Sequence, residues 1–187
     1  GTDRPSFYEK HGGFVIGAAI NYYVYTILTP NFTHNTQIIL DGHIACNASS
    51  ADIDINGPAA LALPKAIARY FNICDDLTIF LASQIPHCQA LGWPGSVGVS
   101  MIKAIALWCG LDLASVDVAE LACQIHVDEV GDEWGRQCQY TAALGGLNTI
   151  TFSRKGIEIA PLSLSSKSYG DLQRGLLLFL ATSYHDM

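Results

Sequence analysis

The chain has 187 residues, half of them hydrophobic and only 14% charged, with a formal net charge of −7. One domain around one substantial core is the expectation, and scattered Lys and Arg in an acidic chain exclude nucleic acid and an anionic membrane as natural partners. So small a charged fraction, with a positive mean hydropathy, implies apolar surface that another domain or chain covers.

In chain order, residues 1–13 (GTDRPSFYEKHGG) read as a turn-rich segment, and FVIGAAINYYVYTIL (14–28) reads as one or two strands that end at Pro30-Asn31. TQIIL (36–40), DIDI (52–55) and LTIFL (77–81) are further strands, and GPAALALPKAIARYF (57–71) is a helix with Pro64 as a local irregularity. GWPGSVG (92–98) is a glycine-rich loop running into a helix. Val97, Met101, Ala104, Ile105 and Trp108 form its one apolar face, and Gly110 stops it. Ser115 caps the next helix, Asp117 and Glu120 sit near its positive end, and Val118, Leu121, Ala122 and Ile125 form its buried face. LNTITF (147–152) and IEI (157–159) make a hairpin, and GLLLFLAT (175–182) reads as a buried strand. The fold class is α/β of the two-layer α+β kind, helices packed on a mainly antiparallel sheet, with residues 1–187 as a single domain.

The chemistry concentrates in few places. Helix-start amides at Gly92–Ser100 carry about half a positive charge and attract phosphate. No Lys-Ser or Lys-Thr follows the glycines, so a Walker loop is excluded. Asp3, Arg4, Glu9 and His11 read as solvated surface, and Asp128, Glu129, Asp132 and Glu133 as a solvated helix end. Cys138 lies in GRQCQYTAALGG (135–146), where small neighbours imply close packing and a lone thiol reads as core. The six cysteines form no C-x-x-C pair and the histidines no H-x-x-x-H pair, which points to reduced, buried thiols in a cytoplasmic protein. No apolar run approaches the length of a membrane span.

These segments together resemble the N-terminal domain of the GHMP kinases, in particular the bacterial D-glycero-D-manno-heptose phosphate kinases and related sugar kinases. Gly1, Thr2, Asp3 and Pro5, then His11-Gly12-Gly13, then Ala19, Ile20, Asn21 and Tyr23 fall on that family's opening motifs. Ile85-Pro86 stands where the family's phosphate loop is introduced, and GRQCQYTAALGGLNTITF is similar to its G-K-Q-D-Q-Y segment. The resemblance implies a domain in which ATP phosphates sit at a helix start, here Gly92, Gly95, Ser96 and Gly98. A small-molecule sugar or sugar phosphate lies nearby at Asp3 and His11, and Mg²⁺ bridges the phosphates. Arg136 takes the place of the family's lysine, and Cys138 that of the aspartate that orients or deprotonates the sugar hydroxyl. The family's first strand and C-terminal domain fall outside the chain, so a C-terminal domain or a homo-oligomer is expected to cover the apolar surface.

Three departures accompany the resemblance. Trp93, Pro94 and Gly95 replace loop serines, and Pro94 has no N–H to offer. Of the family's metal positions, Ser96 is kept, but His126 stands where the magnesium glutamate belongs, and imidazole is a poor ligand for that ion. Cys138 is mostly protonated at neutral pH unless a cation such as Arg136 lowers its pKa. Two readings follow: an ATP-dependent sugar or sugar-phosphate kinase with impaired turnover, or a catalytically inactive relative acting as a ligand-binding or partner subunit.

Overall fold

The computed structural model describes residues 2–49, 52–56, 59–73, 76–84, 91–131 and 135–177. Expectations resting on Gly1, Ile85-Pro86, Asp132, Glu133 and the end of GLLLFLAT lie outside these residues. The elements run α1 (Pro5–His11), β1 (Gly13–Ala18), β2 (Val24–Pro30), β3 (Thr36–Leu40), β4 (His43–Ala48), α2 (Ala59–Tyr70), β5 (Leu77–Ser83), α3 (Trp93–Trp108) and α4 (Ser115–Ile125). A π turn (His126–Val130), α5 (Gln137–Leu144), β6 (Leu147–Ser153), β7 (Gly156–Pro161) and α6 (Ser166–Gly175) follow. The α/β class with mainly antiparallel sheets is as expected, although the strands form two sheets rather than one.

The first sheet has the order β1-β6-β7 and is antiparallel throughout. Its first strand pairs with one from the far end of the chain, Gly13 opposite Phe152 and Ala18 opposite Leu147. The second sheet has the order β2-β5-β3-β4. Only β3 and β5 run parallel there, a pairing that needs a crossover, which β4 and α2 provide. Strand alternation sets the faces: Asn148, Ile150 and Phe152 of β6 point inward, while Thr151 faces water.

Two apolar clusters hold these elements. In the larger, Val97, Met101 and Ile105 of α3 pack with Ile67 of α2 and with Ile38 and Ile79 of the second sheet. The smaller joins Tyr8, Cys123, Tyr140, Ile150 and Phe152. The Tyr8 and Phe152 rings stack with centroids 5.5 Å apart, and Tyr140 meets Phe152 edge-on at 6.5 Å.

Several expectations need correction. The opening segment contains α1, with Pro5 at its first position, where a fixed φ and a missing N–H cost nothing. Residues 52–55 are not a strand: the Asp54 carboxylate accepts from the backbone and side-chain amides of Asn56, a local turn that competes with a ladder. The strand stands earlier, at β4, joined to β3 by Asp41-Gly42, both with positive φ (49° and 83°) as a two-residue hairpin turn demands. Ser115 is the first helical residue of α4 and Ala114 the N-cap, so no side chain caps that helix. Trp108, at the last turn of α3, is half exposed, and Leu176 and Leu177, the described start of the last expected strand, are exposed residues after α6. Cys46, Cys109, Cys123 and Cys138 are free thiols as expected, but only Cys123 of these is buried.

Candidate functional site

The chain enters α3 through two consecutive left-handed residues, Leu91 (φ 55°) and Gly92 (φ 71°). Gly92 is the N-cap and has no side chain to cap with, while Pro94 occupies the first turn. No N-cap side chain therefore closes the helix start, the condition under which its amides are available to an anion. Trp93 does not plug the opening, because its side chain is buried in the larger core.

Beside this start lies a cavity of about 690 Å³, bounded by the end of β1, the 19–23 segment, the first turns of α3 and α5, and one side chain of α6. Gly92 and Ser96 line it, and so does Cys138. The other expected phosphate glycines are packing residues. A Cβ on Gly95 would stand 2.8 Å from the backbone of Cys138, so glycine lets α3 and α5 approach closely. Gly98 faces Leu63 and Ala122 on neighbouring helices.

Asp3 is buried at 3% exposure rather than solvated, and it serves α5. Its carboxylate accepts the Gln137 N–H at 3.2 Å and its carbonyl accepts the Arg136 N–H at 3.2 Å, a cap supplied from far along the chain to the positive end of a helix. It does not line the cavity. Any Cβ on Gly135 would collide with that carboxylate, at 1.9 Å from one oxygen. His11 ends α1 on the surface, its ring 5.0 Å from that of Phe7.

Arg136 faces away from the cavity. Its Nη1 donates to Glu120 Oε1 at 2.8 Å, and the Tyr140 hydroxyl donates to the other oxygen of the same carboxylate. Arg136, the N-cap of α5, and Tyr140, one turn on, are thus tied to α4, while Cys138 between them points to the opposite side. The thiol of Cys138 is pushed up by burial and then by the Asp3 carboxylate. The sequence left open that Arg136 would lower it. The structure commits that guanidinium to Glu120 instead.

His126 is buried at the start of the π turn and does not line the cavity. Its neighbour Glu129, read as solvated, pairs with Arg69 of α2. Among the described residues no group of three His, Cys, Asp or Glu is placed to hold a metal, and no helix is long and apolar enough to cross a membrane.

Sequence reasoning missed several cavity residues. Ser100 follows Ser96 by one helical turn and Thr141 follows Cys138 by three residues, so both share the face of a residue already singled out. Gln137 and Asn21 also line the cavity, as does Tyr169 of α6, for which the sequence offers no signal.

Comparison with known proteins bears out the resemblance to the GHMP kinases and the fold. Residues 59–146 match the GHMP kinases N terminal domain. The chain is 28% identical over 190 aligned positions to the D-glycero-alpha-D-manno-heptose 7-phosphate kinase of Campylobacter jejuni, covering 96% of this chain and 55% of that protein. Its fold is similar to that of a D-glycero-D-manno-heptose 1-phosphate kinase from Bacteroides thetaiotaomicron, with a TM-score of 0.76 and 25% identity over 88% of this chain and 56% of the other. The galactokinase of Lactococcus lactis, solved with galactose, shares the fold alone: TM-score 0.64 and 14% identity, over 84% of this chain and 44% of the other. The chain spans about half the length of these relatives.

Proposed function

We propose that this chain is a GHMP kinase domain that binds ATP and a sugar or sugar phosphate, and takes part in phosphoryl transfer to a sugar hydroxyl in the cytoplasm. One observation carries the reading: the open start of α3 and residue 138 face one cavity, of a size that holds small ligands. The Gly92 end of α3 and the Ser96 hydroxyl would hold phosphate by charge-free donors. ATP, when bound, supplies the phosphoryl group. Asp3 and the Glu120 tie fix α5, and with it the side chain that meets the acceptor.

Among the described residues magnesium has no protein donor set. The described cavity wall carries no carboxylate, and His126 lies elsewhere. Cys138 keeps its proton at neutral pH because burial and Asp3 oppose its ionisation, so it takes no proton from an acceptor hydroxyl and turnover is slow. A second reading, ligand binding without transfer, is favoured by that same neutral thiol and by the missing amide of Pro94. A further domain or a second copy would cover the exposed apolar strand residues in either case.

Fluorescence titration with ATP, with and without magnesium, followed by transfer assays on the native protein and Cys138→Asp, separates these. Nucleotide binding with transfer at least tenfold faster in Cys138→Asp supports the kinase. Binding with no transfer in either protein selects the second reading. No affinity for nucleotide overturns the first.

A further inference from the structure

We infer that the sugar site within this cavity selects an uncharged polyhydroxylated ring and discriminates against its phosphate ester. The inference deepens the kinase reading and rests on its placement of the nucleotide at α3. Its basis is the lining: among the described residues, not one charged side chain faces the cavity. What faces it is neutral and double-natured. Asn21, Ser96, Ser100, Gln137 and Thr141 carry hydroxyls and amides that both donate and accept, as sugar hydroxyls do. Tyr23 at the rim is more than half exposed and offers an apolar ring face with a polar tip, suited to the C–H face of a pyranose.

A phosphate ester would need what this wall lacks. A dianion removed from water without a cation or a set of aimed N–H groups carries a large desolvation cost. The Arg136 guanidinium is held on Glu120. The buried Asp3 carboxylate, bonded to the N–H of the cavity residue Gln137 and opposing ionisation of Cys138, adds a negative field on that side. The open end of α3 is one place for an anion, and in the kinase reading the nucleotide takes it. A second dianion in the same cavity would then face the first with no described cation between them.

The test is direct titration of the intact protein, by calorimetry, with matched pairs: D-mannose against D-mannose 6-phosphate, and D-glycero-D-manno-heptose against its 7-phosphate. The neutral member of at least one pair should bind at least tenfold more tightly than its ester. Asn21→Arg, a change in an exposed loop, should shrink that preference by placing a cation on the wall. Equal or tighter binding of the esters overturns the inference, as does absence of binding by every neutral sugar or a preference that Asn21→Arg leaves unchanged. The failures are distinguishable. Nucleotide binding with an ester preference removes this inference and leaves the kinase, whereas neutral-sugar binding without nucleotide affinity does the reverse.

Discussion

Cys123 shows how much one buried atom can do to pH behaviour. Burial in the smaller core, above all other effects, pushes its thiol from 9.0 up to about 12. The folded state therefore keeps a proton that the unfolded chain releases. This contribution to stability is intact below pH 9 and is lost as pH rises toward 12, amounting to about 2–3 kcal/mol by pH 11. Urea unfolding at pH 8 and pH 11 should show a steep alkaline loss in the native protein and a shallower one in Cys123→Ala. Tyr8 and Cys138, both raised mainly by burial, maintain a residual slope. An unchanged slope in the variant would refute the assignment. At this scale the sequence was a partial guide. Gly92, Ser96 and Cys138, which the resemblance singles out, line one cavity. The roles of Asp3 and Arg136 were not legible, because a carboxylate that caps a helix more than a hundred residues away looks in one dimension like any loop acid.

Among the elements, α5 is the piece on which the site depends, gripped by α4 behind and α3 in front. The rear grip is Glu120. Its removal in Glu120→Ala leaves Arg136 and the Tyr140 hydroxyl without their shared acceptor and should cost about 1–2 kcal/mol, a figure reduced by the half-exposed carboxylate. The front grip is the glycine contact. Gly95→Ala forces a methyl against the Cys138 backbone, which cannot yield as a side-chain tip would, and should cost about 1–3 kcal/mol. Thermal unfolding of the two variants measures both, and a Gly95→Ala protein as stable as the native one would mean that the two helices pack less closely than described. Helical periodicity revealed α3, α4 and their buried faces. The β3–β4 hairpin is equally legible in Asp41-Gly42, whereas the alternation of DIDI signals no strand because the Asp54 carboxylate accepts the Asn56 N–H in a local turn.

For the whole molecule, exposed large apolar residues recur along two strands of different sheets. Phe14 and Ile16 of β1 and Tyr25 and Ile27 of β2 alternate outward along their strands, apolar rows of the sort that another surface covers. Ile27→Thr should leave stability within about 0.5 kcal/mol while lowering self-association in a light-scattering dilution series. Ile150→Ala, on the inward side of β6, should cost about 2–5 kcal/mol. Equal effects of the two would show that the outward face is already covered in the isolated chain. The two-layer class was readable from composition and pattern. The division into two sheets was not, because strand partners are set by long-range register rather than by any local run.

That register has a consequence in time. Strand β1 is made more than a hundred residues before β6, its ladder neighbour among the described residues. Until then an apolar edge waits unpaired, and loop-closure entropy delays its capture even afterwards. Folding of this domain is thus expected to capture β1 late, and the newborn chain is most prone to clumping in that interval.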